Sequence, residues 1–309
     1  MDLKKIRKGI GGFFGWVGLI LCSLIIKVTP GPWIYGFARN IAFLGYFFIR
    51  KKRNIALESL SIAFGQEKDQ EQIAGIAKDC FVCMAKAVVE IVYLIDKPCL
   101  LERRIQIMGK ENLDAALAKG KGVIIVSAHF GNFPLMLARL GQEGYKVTAI
   151  MRPMRDSRVE KIFTAKRARF NIKTVYSQPR QVCIEQTIRV LRDNGLVFIL
   201  VDQNFGTGGV FVDFFGKKAA TAVGPLVLAQ RTKASIVPCF IVRQKDDTHK
   251  IIIEPAFSLE GKSSYQESLS VNMQRLTNIM EVYIRRHPEQ WGWIHRRWKS
   301  RPNLERGGV

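Results

Sequence analysis

The chain has 309 residues, 48% of them hydrophobic, which is ample for a sizeable core and argues against a disordered protein. Its 48 Lys and Arg against 26 Asp and Glu leave a net charge of +22, a field that concentrates nucleic acid, an anionic membrane or an acidic substrate. Nucleic acid is set aside, because the sequence carries no zinc-finger or helix-turn-helix signature and no basic patch interleaved with aromatics.

At the N-terminus, Ile10 to Ile26 (IGGFFGWVGLILCSLII) is an uncharged run preceded by Lys4, Lys5, Arg7 and Lys8. A bilayer core needs about 20 apolar residues, with about 17 as the lower limit, so the run is just long enough to span. A signal peptide is the rival, but no small-residue cleavage site follows, and a retained anchor is expected. A second apolar stretch, Pro32 to Ile49, holds Arg39 and Asn40 near its middle. Arg at a helix centre costs about 2.5 to 3.5 kcal/mol to insert, which places this stretch in the interface rather than across the bilayer. The run Arg50, Lys51, Lys52, Arg53 closes it and suits an anionic surface on the cytoplasmic side. Residues 1–53 are therefore read as membrane-anchoring helices, and residues 54–309 as one further domain.

From Asp69 to Asp96 apolar residues recur at helical spacing, giving one or two amphipathic helices. Strands are then predicted at Ile105 to Met108, Val123 to Ala128, Val147 to Met151, Ile172 to Tyr176, Leu196 to Val201, Ile236 to Val242 and Ile251 to Ile253. Helices alternate with them near Glu111 to Lys119, Pro134 to Gly141, Ser157 to Phe170, Val182 to Asn194 and Gly224 to Thr232. This order specifies an α/β fold with a mostly parallel central sheet flanked by helices. A last helix near Glu267 to Arg286 precedes a tail in which Trp291, Trp293 and Trp298 alternate with Arg296, Arg297 and Lys299. That mixture suits the boundary between water and bilayer, with His295 packed or interfacial. His249 and His287 have no supporting context. The six cysteines are scattered, so no disulfide framework, metal site or cofactor is expected; the CxxC at Cys80 and Cys83 reads as two small core residues on a helix.

Ligands of open α/β sheets bind at the C-terminal ends of the strands. The strand VIIVSA runs into His129-Phe130-Gly131-Asn132-Phe133-Pro134, where Asn132 is a good N-cap and Pro134 a good first-turn residue. A helix N-terminus beside a histidine at a strand end can stabilise an oxyanion or a phosphate. A buried, hydrogen-bonded histidine is the bland alternative; the strand-end position and Gly131, which permits close approach, favour a functional one.

SAHFGNF, MRP at Met151 to Pro153, RAR at Arg167 to Arg169, VDQNFG at Val201 to Gly206, VDFFGKKAATAVGPLVLA at Val212 to Ala229 and WGWIHRRW at Trp291 to Trp298 stand in an order that resembles the bacterial lipid A biosynthesis (late) acyltransferases of the lysophospholipid acyltransferase superfamily. The resemblance covers nearly the whole chain. It implies a histidine general base in an H-x4-D/E motif, an acyl carrier protein or acyl-CoA donor, a glycolipid acceptor, and a place on the cytoplasmic face of the bacterial inner membrane. One departure stands out. Five residues after His129 the family has its acid, and this chain has Pro134, which cannot orient an imidazole. Asp202, at the end of the strand LVFILV, is the first candidate to replace it; Asn132 is the second and Asp213 the third. If none does, the chain is a non-catalytic lipid-binding relative. A hydrolase of similar chemistry is set aside, since no G-x-S-x-G elbow or activated cysteine accompanies the histidine.

Arg152, Arg167 and Arg169 follow strand ends or lie on the next helix, where they could clamp phosphate. Gly206, Gly208 and Gly209 give a mobile loop over the substrate. Phe205, Phe211, Phe214 and Phe215 either line an acyl channel or pack in the core.

Overall fold

In the computed structural model, which describes residues 21–302 apart from 155 and 207, nine strands are present: β1 (Ile105–Met108), β2 (Val123–Ser127), β3 (Val147–Met151), β4 (Lys173–Tyr176), β5 (Leu196–Leu200), β6 (Val210–Phe214), β7 (Lys217–Thr221), β8 (Ser235–Arg243) and β9 (His249–Ile253). Seven of them form one sheet in the order β1-β9-β8-β2-β5-β3-β4. Its pairs are parallel except β8 with β9, which a short turn joins as an antiparallel hairpin. The described helices longer than one turn are α1 (Ile34–Phe48), α2 (Arg50–Phe64), α3 (Gln70–Leu94), α4 (Pro98–Arg104), α5 (Lys110–Leu117), α6 (Phe133–Gln142), α7 (Ser157–Ala168), α8 (Arg180–Arg192), α9 (Gly224–Thr232) and α10 (Tyr265–Arg286), with residues 21–28 also helical.

A parallel strand at the centre of such a sheet is covered on both faces and reads as a continuous apolar run. β2 obeys this: all five residues are buried. Ile124 and Val126 face a core built from α2, α3, α9 and α10, whereas Val123 and Ile125 face one built from α4, α5 and α6. Cys80 lies buried in the first core and Cys239 in the second. Register carries the functional consequence. Val123 pairs with Leu196 and Ser127 with Leu200, so β2 and β5 end level, and the residues two beyond each end, His129 and Asp202, leave the sheet side by side.

The structure sharpens one expectation, adds an element and corrects a third. The segment Asp69 to Asp96 is a single helix, started by a capping box in which Asp69 accepts from the Gln72 backbone and Gln72 returns to the Asp69 N–H. The hairpin β6–β7 was not foreseen, although Val210, Val212 and Phe214 alternate inward with period two and Phe215-Gly216, both at positive φ, make a tight two-residue turn. Finally, the tail is core, not membrane boundary. Trp291, Trp293 and Trp298 are 2%, 0% and 8% exposed, and each indole N–H has a partner inside the fold: Asp202 Oδ2, the Pro288 carbonyl and the Phe214 carbonyl. An indole whose N–H is satisfied internally gains its full apolar burial without needing a wet interface.

Of the expected anchor Ile10 to Ile26, residues 10–20 lie outside the described residues. Among those described, no helix is long and apolar enough to cross a membrane. α1 buries Ile34, Ala38 and Ala42 at helical spacing, the first two against Val89 of α3. Its other face leaves Ile41, Phe43, Leu44, Phe47 and Phe48 exposed. The basic run that follows is the first turn of α2, so positions 53 and 54 sit within one helix.

Candidate active site

β2 ends at Ser127, and the chain turns sharply through His129, Phe130 and Gly131 before Asn132 and the start of α6. Gly131 has φ of +56°, and a Cβ there would stand 2.0 Å from the Ile241 carbonyl oxygen of β8. Only glycine allows that approach. The C-terminal tail clamps the same turn: Gly131 N–H donates to the Gln290 carbonyl at 2.8 Å, and Gly292 N–H to the His129 carbonyl at 3.0 Å.

Asp202 lies across from this turn, 2% exposed, and His129 Nδ1 is 2.9 Å from its Oδ1. Its second oxygen, Oδ2, accepts from the His129 backbone N–H at 2.9 Å and from Trp291 Nε1 at 2.8 Å. Burial pushes the Asp202 carboxyl up, but the facing imidazole and these hydrogen bonds more than offset it and hold the group below the ordinary range. The reciprocal balance acts on His129: burial lowers its pKa, the charge and hydrogen bond of Asp202 raise it, and the net shift is upward. A carboxylate facing Nδ1 requires a proton there. The neutral imidazole therefore carries its lone pair on Nε2, the nitrogen that faces open space. Gln203 Nε2 sits 3.2 Å from it.

That space is a cavity of about 960 Å³. Its deep wall is apolar and buried, formed by Ile95, Leu137, Ala149, Ile172 and Phe198, while Arg152, Gln203, His295, Arg296 and Lys299 stand among its polar lining. His129, Phe133 and Pro134 lie on the wall. Burial pushes the His295 imidazole below its ordinary value, so it is neutral near pH 7, and its Nδ1 is buried without a hydrogen-bond partner among the described residues.

The other candidates are distributed unevenly. Asn132 occupies the N-cap position of α6 but makes no capping bond with its side chain. It is buried, and its Nδ2 donates instead to the Ala87 carbonyl at 3.1 Å and to Glu90 Oε2 at 3.0 Å, turned toward α3 while Asp202 serves His129. Asp213 is on β6 and pairs with Lys218 on the surface. Arg152 is exposed on the cavity wall. Arg167 also lines it, but its guanidinium is engaged by Glu160 at 2.6 Å. Arg169 points to Asp96 at 2.7 Å, which Lys27 and Lys166 also reach. Gly206 has φ of +82° with nothing near it, in the loop that carries Phe205 onto the cavity wall. Phe214 and Phe215 belong to the core.

Two features escaped sequence reasoning. One is Gln203, whose contact with the reactive nitrogen follows only from knowing that Asp202 is buried and its neighbour is not. The other is a buried cluster behind the turn. Glu90 of α3, 0% exposed, receives a bidentate pair from Arg243 at 2.5 and 2.7 Å, His249 Nε2 at 3.1 Å and the Tyr35 hydroxyl at 3.1 Å. Burial opposes ionisation of this carboxyl, yet His249 and Arg243 outweigh it and hold it well below the usual range.

The fold thus sets a strand-end histidine, paired with a buried carboxylate, on a cavity whose deep wall is apolar. The family model described as bacterial lipid A biosynthesis acyltransferase matches residues 4–300, and the chain belongs to that family; it is an acyltransferase. It is 28% identical over 291 residues to the lipid A biosynthesis palmitoleoyltransferase of Escherichia coli (strain K12), covering 93% of this chain and 91% of that one. It is 25% identical over 295 residues to the lipid A biosynthesis lauroyltransferase of the same strain, covering 93% and 92%. A shorter match, 29% over 131 residues and 42% of each chain, is to a phosphatidylinositol mannoside acyltransferase of Mycobacterium tuberculosis (strain ATCC 25618 / H37Rv).

Proposed function

We propose that this enzyme moves a fatty acyl chain from an acyl carrier protein or acyl-CoA thioester to a hydroxyl of a lipid A precursor or related phosphorylated glycolipid, with His129 as general base. The observation that carries the reading is the 2.9 Å contact between His129 Nδ1 and the buried Asp202, which leaves Nε2 free to take a proton. The acceptor oxygen attacks the thioester carbonyl carbon as its proton passes to Nε2. Collapse of the tetrahedral intermediate breaks the C–S bond, and the imidazolium returns the proton to the departing sulfur. Asp202 does here what the acid five residues after the histidine does in the family, so Pro134 is no obstacle. The non-catalytic alternative, motivated by Pro134, expects His129 and Asp202 to stand far apart, and their 2.9 Å contact counts against it.

Acyl selection follows from the deep wall, since each buried CH₂ contributes about 0.8 kcal/mol. Arg152, Arg296 and Lys299 on the same cavity match a phosphorylated acceptor and an acidic carrier protein. The exposed apolar face of α1, followed by exposed Arg50, Lys51 and Lys52, fits seating on an anionic bilayer at the cytoplasmic face of the inner membrane, where each basic residue adds about 1 kcal/mol. Residues 1–53 act as the membrane-binding part and residues 54–309 as the catalytic part in this reading. Radiolabelled acyl transfer by membranes containing the wild-type protein and abolished in His129→Ala is the expected result; transfer that persists in the variant overturns the proposal. Mass spectrometry of membrane lipids after deletion, looking for one acyl chain lost, identifies the product.

A further inference from the structure

We infer that Gln203 is a catalytic residue of this reaction, the side-chain donor that stabilises the oxyanion of the tetrahedral intermediate; the inference rests on the acyl-transfer reading given above.

Because Asp202 fixes the proton of neutral His129 on Nδ1, the lone pair on Nε2 must accept, and the group facing it at 3.2 Å is the Gln203 amide NH₂. The amide thus occupies the place where the acceptor hydroxyl has to stand. A hydroxyl entering to give its proton to Nε2 displaces the amide, and the displaced amide cannot go far. Its backbone is held on both sides: Asp202 before it is buried and triply hydrogen-bonded, and Asn204 after it exchanges two bonds with Ser300, at 3.1 and 3.2 Å. Its own carbonyl accepts from Arg297, which is 1% exposed and also donates to the Ala220 carbonyl and the Thr221 hydroxyl. The side chain, by contrast, is exposed on the cavity wall and is free to rotate. A rigid backbone with a mobile amide is a short arm beside the reacting atoms.

The carbonyl under attack lies about 3 to 3.5 Å from the attacking oxygen in a productive complex, within the sweep of that arm. As the new C–O bond forms, the carbonyl π pair moves onto oxygen and the hydroxyl proton moves to His129 Nε2. The Gln203 N–H then donates to the oxyanion. On collapse that electron pair re-forms the C=O, the C–S bond breaks, and sulfur takes the proton from His129. A neutral amide suits the task because, unlike a carboxylate, it does not repel the oxyanion. Removing one such donor typically costs about 10²- to 10³-fold in turnover.

The test uses the full-length enzyme in detergent micelles with a panel of C12 to C16 acyl-CoA thioesters and a lipid A precursor, measuring kcat, KM for each substrate and the pH dependence of kcat for wild type, Gln203→Ala, Gln203→Asn, Gln203→Glu and His129→Ala. For Gln203→Ala we expect kcat to fall by about 10²- to 10³-fold with KM nearly constant and the melting temperature unmoved, since the side chain is exposed. Gln203→Glu should be at least as slow. The acid limb of the kcat profile should stay in place, because in the complex the amide has left His129; a residue that only orients the imidazole would move it. A Gln203→Ala enzyme with kcat equal to or above wild type would make the amide a removable plug, and one altered only in acceptor KM would make it a sugar-binding group; either overturns the assignment. If His129→Ala is inactive in the same experiment, the general-base reading survives that failure. If His129→Ala is also fully active, both fall.

Discussion

Among the described residues two buried carboxylates each face a histidine, and only one of those histidines opens on a cavity. Asp202 contacts His129 through Nδ1, with the His129 side chain 33% exposed toward the cavity. Glu90 contacts His249 through Nε2, and both side chains are 0% exposed. Around Asp202 the donors are a backbone N–H, an indole and the imidazole, so the histidine is its only titratable partner among these. Around Glu90 the bidentate Arg243 already neutralises the charge, and His249 is left with nothing to act on. What separates the two pairs is therefore not their own geometry but the second nitrogen of each histidine: open to the cavity in one case, enclosed in the other.

Breaking the pair at Asp202 should produce the largest change in rate. Asp202→Asn loses the group that orients the imidazole, and we expect turnover to fall by about 10⁴, measured as acyl transfer by purified enzyme. Residual transfer should also show a displaced pH dependence. In the wild type, His129 must be neutral to accept a proton, so activity rises with pH through its raised pKa, above the ordinary value. Asp202→Asn removes both influences that raise it and leaves burial, which lowers it. The acid limb should move to lower pH; a limb that stays in place or moves up would show that Asp202 does not set the protonation of His129.

Breaking the other pair should act on stability first. Glu90→Ala leaves Arg243 buried without its partner, at a cost of about 3 to 5 kcal/mol, readable as a lower denaturation midpoint with an unchanged acid limb. Asn132→Ala probes the direct bond between the two regions, which are also linked through Gln290. It removes donors to the Ala87 carbonyl and Glu90, and about 1 to 3 kcal/mol should be lost, with turnover lowered because the turn carrying His129 loosens. If Asn132→Ala matches wild type in both, this direct bond does not support the His129 turn. The smallest effect is expected of Pro134→Glu, which restores the residue type the family carries. His129 Nδ1 is already taken by Asp202, and an acid in the first turn of α6 suits the helix dipole by about 0.3 to 1 kcal/mol. Turnover should change by less than about threefold; a large gain would mean that Asp202 is a poor substitute.

The sheet was legible because its strands are short apolar runs separated by helices of clear period, and because polar residues, His129 and Asp202, stand two positions beyond the ends of β2 and β5. Ranking Asp202 before Asn132 used only the rule that functional groups gather at one edge, and it is Asp202 that contacts His129 while Asn132 turns to Glu90. What could not be read depends on contacts far apart in sequence. Glu90, Arg243 and His249 come from α3 and the β8–β9 hairpin, and neither periodicity nor spacing links them. The tail misled for a similar reason: alternating Trp and Arg has the same composition at a membrane boundary as in a core where Arg297 is tied to the β7 backbone. Asn132 was misread as a helix cap because local preference is outcompeted by a buried carboxylate that arrives from another helix.

The clamp on the His129 turn also dictates when the enzyme can exist. Gln290, Trp291 and Gly292 hold that turn and Asp202, yet they are made more than 150 residues after His129. Until those residues are made, the His129 turn lacks its Gln290 and Gly292 partners and Asp202 lacks its indole donor. A polypeptide cut short before Trp291 would keep every strand of the sheet but lose the Trp291 donor to Asp202, the Gly292 bond to the turn, and His295, Arg296 and Lys299 from the cavity wall.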